Sequence, residues 1–149
     1  MADDFDLQRF VAAQDAGGSY DRALAELEAR SKQGHWRWWI FPQLAGLGRT
    51  ATAQAYGISG LPEARAYLAH PVLGERLVRC ARALVGPPLL EASTVLGHTD
   101  ALKLRSSMTL FALADPDEPV FGQVLEQYYG GRPDELTHKA LREGPAGLG

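Results

Sequence analysis

The sequence predicts an all-α protein with a single domain over residues 1–149, and three observations support this prediction. Most segments repeat apolar residues at the spacing of an amphipathic helix, and Gly and Pro divide these segments into short elements. No segment alternates convincingly between apolar and polar residues as a half-buried strand does. A chain that is 46% hydrophobic and 22% charged is globular in composition, and it is long enough to form a core without disulfides or metals.

The first two helices are expected from capping residues and glycine. Asp4 or Asp6 is expected to cap the first helix, and the pair Gly17-Gly18 to end it. Ser19 is then expected to cap a second helix. Further along, Ile58 could lie in a short extended segment.

The remaining helices are expected between prolines and glycines. Asp100 is predicted to cap the longest of them, and the tail from about residue 144 is expected to be frayed. In one of these helices the spacing i, i+4, i+7 and i+11 places Leu73, Leu77, Cys80 and Leu84 on a buried face. The expected helices cover residues 50–56, 62–70, 73–84, 91–96, 101–114, 119–129 and 133–142.

Charge and cysteine content restrict the possible partners. The 15 basic and 18 acidic residues give a net charge of −3, which argues against general nucleic-acid binding. The single Cys80 cannot form an internal disulfide and is expected to be an inert core thiol. The acidic amino terminus does not resemble a signal peptide, and no apolar run approaches the ~20 residues of a membrane helix. These features predict a cytoplasmic protein with no membrane partner, and the His and Cys spacing predicts neither a metal nor a cofactor.

The aromatic segment over residues 34–44 is the first candidate site. It has no clean helical or strand period and is expected to be a loop. Trp36, Trp38 or Trp39 could stack on a ring of a ligand, His35 could transfer a proton near neutral pH, and Gln43 could supply hydrogen bonds. The alternative interpretation is that these aromatic side chains belong to the core.

The predicted helix after Asp100 is the second candidate site. It is apolar on nearly every side, yet it carries Lys103, Arg105, Ser106 and Ser107. A half-buried cation needs an anionic partner, and a phosphate would suit Arg105 together with the two hydroxyls. The alternative is an internal ion pair, with Lys103 extending to water.

Four strings along the chain carry a family resemblance. They are Phe5 to Phe10, His35 to Leu44, Glu63 to Gly74 and Asp100 to Phe111. These strings are similar to the signatures of domain-of-unknown-function family 1810, and the likeness runs over nearly the whole chain. The resemblance implies a small multihelical protein and no settled activity. A distant similarity to the NAD- and ADP-ribose-associated helical domains, which are glycosidases, is a further expectation, although their catalytic motif has no residue-by-residue match here.

Two functional hypotheses follow from these residues. The first is a hydrolase or N-glycosidase acting on a nucleotide-derived or ADP-ribosyl-type ligand. In it a tryptophan stacks on the ring, Arg105 with the two serines holds phosphate, and Lys103 or His35 transfers a proton; Lys103 could instead act as a nucleophile. The second is a non-catalytic interaction module, with a homodimer as one form of it, in which the aromatic segment forms the interface.

Overall fold

The computed structural model describes residues 4–143, and helices form its regular structure. The all-α prediction is confirmed, because an isolated parallel bridge between Leu44 and Ile58 is the only β pairing within these residues. A 3₁₀ turn at Ala16–Gly18 joins the first two helices. The helices are α1 (Gln8–Asp15), α2 (Ser19–Glu28), α3 (Arg37–Ile40), α4 (Ala51–Ala55), α5 (Leu61–Ala69), α6 (Leu73–Leu84), α7 (Ala92–Leu96), α8 (His98–Ala114), α9 (Pro119–Tyr129) and α10 (Glu135–Glu143).

Helix α8 is the centre of the fold. It packs against α5, α7, α9 and α10, and every residue from 106 to 111 is buried. A helix that is apolar on nearly all sides can bury its side chains only if other helices surround it. The stripe of α6 is likewise buried as predicted, with Leu77 and Cys80 each 1% exposed.

A row of four aromatic rings crosses the core from α1 to α9. Phe10 meets Tyr67 edge-on with 5.1 Å between ring centroids, and Tyr67 lies 5.4 Å from Phe111. Phe111 in turn lies 5.9 Å from Phe121. Each contact joins a different pair of helices, so these rings connect α1, α5, α8 and α9 into one apolar core.

The expected caps of three helices are wrong. No side chain caps α1, and Asp6, with a φ of 52°, precedes its N-cap residue Leu7. Gly18 is the N-cap of α2, and the Ser19 hydroxyl accepts a hydrogen bond from Trp39 instead. Asp100 lies inside the first turn of α8, where it forms ion pairs. Short polar side chains favour caps, but here tertiary partners compete for the same oxygens.

The aromatic segment and the last helix differ from expectation in extent. Residues 37–40 form one helical turn inside the expected loop. The extended conformation of Ile58 is confirmed, since its N–H donates to the Gln43 carbonyl at 2.9 Å.

Helix α10 begins two residues after Pro133, where the sequence predicted its start. The Asp134 carboxylate caps this helix, because it accepts hydrogen bonds from the N–H and the hydroxyl of Thr137. The tail from residue 144 lies outside the described residues.

Helices α5 and α6 meet at Gly74. His70 ends α5 and its Nδ1 accepts from the N–H groups of Val72 and Leu73, which turns the chain directly into α6. A Cβ at Gly74 would lie 2.0 Å from the Leu68 carbonyl oxygen. The turn therefore requires a residue without a side chain at this position.

Gly74→Ala is expected to destabilise the protein by at least about 2 kcal/mol, because the added methyl overlaps backbone rather than a movable side chain. Gly122→Ala, in the middle of α9, is the matched control. No atom lies within 4 Å of its Cβ position, so the substitution is expected to stabilise by about 0.5–1 kcal/mol. Urea unfolding of both variants measures the effects. Equal stability of the two variants would contradict the proposed close approach.

Candidate functional site

A groove of about 540 Å³ opens between α1, α2 and the aromatic segment. Three of the residues predicted from the sequence line it together, namely His35, Trp36 and Trp39. Its remaining lining combines small apolar residues with a carboxylate and a guanidinium. We call this feature the aromatic groove; its full lining is Ala13, Ala16, Ser19, Arg22, Glu26, Gln33, Gly34, His35, Trp36, Trp39 and Tyr56.

Glu26 on α2 fixes the loop that forms one side of the groove. Its Oε1 accepts from the backbone N–H of Gln33 at 2.8 Å, from that of Gly34 at 2.9 Å and from the indole of Trp36 at 2.9 Å. Burial alone would raise the pKa of Glu26, but these hydrogen bonds and the charge of Lys32 outweigh it and lower the pKa. The carboxylate is therefore ionised at neutral pH, and Oε2 takes none of these three bonds.

Trp39 also forms a wall of the groove, and both its indole N–H and its backbone carbonyl make hydrogen bonds. Its Nε1 donates to the Ser19 hydroxyl at 2.9 Å, and its ring lies 5.4 Å from that of Tyr56. Its backbone carbonyl accepts from the buried Gln14 amide at 2.7 Å. The ring is half-buried, so one wall of the groove is an aromatic surface of fixed orientation that a ligand ring could contact.

His35 and Arg22 supply the two exposed titratable groups of the groove. Neither forms a hydrogen bond or an ion pair with any residue between 4 and 143. Arg22 and Glu26 are four residues apart on α2 and therefore lie on the same face of that helix. The groove thus combines a cation, a carboxylate and an imidazole beside aromatic walls.

A second group of charges lies on the far side of Trp36. Lys32 Nζ is 2.7 Å from Asp100 Oδ2, and Arg37 Nε is 2.9 Å from Asp100 Oδ1. Lys32 also donates to the Gly34 carbonyl, and its Nζ is 4.9 Å from the centroid of the Trp36 ring. Arg37 lies over the ring of Trp38 at 4.6 Å. We call Lys32, Arg37 and Asp100 the ion cluster.

The candidate residues on α8 lie apart from the aromatic groove. Arg105 Nε donates to the Arg132 carbonyl at 2.9 Å, so this side chain attaches α8 to the chain after α9. The Ser106 hydroxyl bonds back to the Leu102 carbonyl at 3.4 Å. Ser107 is 0% exposed and its hydroxyl has no partner among residues 4–143, while Lys103 is half-buried. The structure therefore does not bring these four residues together with His35, Trp36 and Trp39.

Gln43 and Trp38 also lie outside the aromatic groove. The backbone carbonyl of Gln43 accepts from Ile58, whereas its side-chain Oε1 is buried without a partner. Trp38 Nε1 is likewise buried and unpartnered. Glu26, Arg22 and Ser19 were missed from the sequence, because each belongs to an ordinary amphipathic helix. Their importance arises from a loop that folds back over α2, and a local pattern does not indicate that.

Within residues 4–143, no group of three or more His, Cys, Asp or Glu side chains could hold a metal ion. None of the described helices is long and apolar enough to cross a membrane. Burial raises the pKa of the Cys80 thiol to about 12, which makes it a poor nucleophile at neutral pH.

The fold and the groove define the class, a small multihelical protein with an aromatic and partly charged groove. Residues 4–141 match the family described as "Protein of unknown function (DUF1810)", and the chain belongs to that family. It is similar to the crystal structure of the conserved hypothetical protein Rv1873 from Mycobacterium tuberculosis, with 46% identity and a TM-score of 0.90. The similarity covers 94% of this chain and 99% of that one. No curated protein matches the chain.

Ser107→Ala is expected to stabilise the protein by about 1 kcal/mol, because the substitution removes a buried hydroxyl that has no hydrogen bond. Thr109→Val, one half-turn away, is the control. Thr109 Oγ1 donates to the Arg105 carbonyl and accepts from Asp134 N–H, each at 2.8 Å, so its loss is expected to destabilise by about 1–2 kcal/mol. Thermal unfolding measures both effects. Destabilisation by Ser107→Ala would show that this hydroxyl has a partner.

The stability of the protein is expected to fall in acid partly through Glu26. Because the folded state lowers the pKa of Glu26 below its ordinary value of 4.5, the stabilising contribution of Glu26 is complete above that pH and is lost as the pH falls through the folded pKa. As the pH rises through this window, the difference in unfolding free energy between the parent and Glu26→Gln should increase. At higher pH the difference should stay constant. Glu28→Gln, on the same helix, is the control. A difference independent of pH would contradict the hydrogen-bond geometry.

Proposed function

We propose that the chain binds a nucleotide-derived or ADP-ribosyl-type ligand in the aromatic groove and hydrolyses its N-glycosidic bond. The observation that carries the proposal is the meeting of Trp39, Glu26 and His35 in one groove. An aromatic surface, a carboxylate that is ionised at neutral pH and an exposed imidazole are the groups such a reaction requires. A groove of about 540 Å³ is large enough for a ligand of this class.

Binding depends on the aromatic wall and on Arg22. The base stacks against the fixed ring of Trp39 beside Tyr56, and Arg22 pairs with a phosphate of the ligand. We assign the phosphate contact to Arg22 rather than to Arg105, because Arg105 does not line the groove and its Nε is bonded to the Arg132 carbonyl.

Hydrolysis uses Glu26 and His35 in different roles. As the bond between the sugar C1′ and the base nitrogen breaks, positive charge develops on the sugar ring, and the ionised Glu26 stabilises that charge. His35, in its protonated form, donates a proton to the departing nitrogen. Water then forms the new bond to C1′, and the proton it releases returns to the imidazole. A carboxylate with a lowered pKa is a weak base, so we assign Glu26 an electrostatic role.

Two further features are relevant to this proposal. A cytoplasmic location, favoured by the single cysteine, would give access to nucleotide ligands. The alternative, an interaction module or homodimer formed through the aromatic segment, needs exposed ring surface, and Trp36 is only 3% exposed while Trp38 and Trp39 are half-buried. The alternative therefore has less support from the geometry.

Thermal shift against a panel of nucleotides, NAD, ADP-ribose and sugar phosphates tests binding first. A ligand at ~100 times its dissociation constant should stabilise the fold by ~2.7 kcal/mol. Arg22→Gln should weaken binding of phosphate-containing ligands about tenfold, since one charge-assisted hydrogen bond is lost. Arg105→Gln is the matched control and should leave binding unchanged.

Release of the free base, followed by chromatography, tests hydrolysis. His35→Gln should bind the stabilising ligand as the parent does but should cleave it ~100-fold more slowly, the usual size of a lost general acid. Absence of any stabilising ligand in the panel would refute the proposal. Binding without release of a base would refute the hydrolytic part and retain the groove as a binding site. A dimer that dissociates on Trp38→Ala would instead favour the interaction module.

A further inference from the structure

The ion cluster contains more positive than negative charge. Its two cations, Lys32 and Arg37, share the single carboxylate of Asp100, and both oxygens of that carboxylate are occupied. The side chains of Lys32 and Arg37 are only 7% and 10% exposed. A buried cation is costly unless its charge is compensated. Lys32 has a second carboxylate nearby, since its charge lowers the pKa of Glu26, whereas Arg37 has among residues 4–143 only the Asp100 carboxylate that it shares with Lys32.

Two side chains in this region have donors without partners. Arg37 uses Nε to bind Asp100, while no residue between 4 and 143 accepts a hydrogen bond from its two terminal nitrogens. Trp38 Nε1, in the ring whose centroid is 4.6 Å from that guanidinium, is a buried donor with no partner in the same part of the chain. Asp100 lies in the first turn of α8, and no side chain caps this helix end. Unpaired donors and the positive end of a 17-residue helix therefore meet at the same place.

Lys103 adds a further cation. It lies three residues after Asp100 on α8, so the two side chains are neighbours on the helix surface. Lys103 is half-buried, and the described residues provide no carboxylate that pairs with it. Asp100 cannot neutralise it either, since Lys32 and Arg37 already occupy its oxygens.

We propose that Arg37, Trp38 and Lys103 form an oxyanion site at the amino-terminal end of α8, which takes a phosphate group. The Arg37 guanidinium offers two terminal nitrogens in one plane, which match two oxygens of a phosphate. Lys103 supplies a second positive charge and the Trp38 indole a further donor. Divalent cations are not suited to this site, because its only carboxylate already carries two cations.

This site is separate from the aromatic groove and does not depend on the function proposed for it. Trp36 is common to both regions, since it lines the groove and its ring centroid is 4.9 Å from Lys32 Nζ. Neither Arg37 nor Trp38 lines the groove. A phosphate here is therefore bound by a different arginine from the Arg22 of the groove.

Titration calorimetry of the full chain with inorganic phosphate tests the site. The parent is expected to show saturable binding, and Arg37→Gln should weaken it at least tenfold. Since Arg37→Gln also removes an ion pair, Lys103→Gln provides a second variant that breaks no contact of the described chain, and it should weaken binding severalfold. Arg105→Gln is the control and should bind phosphate as the parent does. Phosphate should also shift the indole N–H resonance of Trp38, identified by its loss in Trp38→Phe.

Three results would overturn the proposal. The first is the absence of saturable phosphate binding by the parent. The second is unchanged affinity in both Arg37→Gln and Lys103→Gln when these variants are folded. The third is loss of binding in Arg22→Gln with retention in Arg37→Gln, which would place the phosphate in the aromatic groove.

Discussion

Complete burial of α8 is the constraint on which the other elements depend. Every residue from 106 to 111 is buried, so neighbouring helices must cover all sides of this segment. The row of rings from Phe10 to Phe121 passes through α8 at Phe111. Polar side chains in the segment must then find internal partners, and Thr109 does so while Ser107 does not. The charges of α8 precede this stretch: Asp100 forms the ion cluster at the start of the helix, and Arg105 binds the chain after α9.

The aromatic groove depends on a different interaction, between α2 and the loop that follows it. Without the Glu26 carboxylate, two backbone N–H groups and the Trp36 indole would have no acceptor. Trp36 is therefore fixed by a hydrogen bond on the groove side and by the Lys32 cation on the other. One tryptophan thus forms the boundary between the two charged regions, and its buried position explains why both regions have a defined geometry.

The sequence was sufficient to predict the helical class, most helix positions and the buried face of α6. Those properties depend on spacing within a segment, which a single sequence records directly. Helix caps were predicted less well, because Ser19 and Asp100 bind side chains that are distant in the chain. The sequence also pointed to His35, Trp36 and Trp39 through the unusual density of aromatic residues, and the structure places these three in one groove.

The sequence pattern did not show whether the polar residues of α8 lie near these aromatic side chains. Lys103, Arg105, Ser106 and Ser107 attracted attention because polar residues are unusual on an apolar helix. Whether such residues meet a given loop depends on tertiary packing, and the structure assigns Arg105 to the chain after α9 instead. Glu26 shows the converse problem, since an acidic residue on an amphipathic helix has an ordinary pattern until a loop closes over it.

The bond between Arg37 and Asp100 spans 63 residues of sequence. Because closing a loop of this length costs chain entropy, this contact can form only when α8 and the aromatic segment have come together. Local opening at the start of α8 would remove the carboxylate partner of Arg37 and Lys32 at the same time, while Glu26 would still hold the loop that carries Trp36. The two ends of this loop therefore differ in what holds them, one by a contact distant in the chain and the other by the preceding helix.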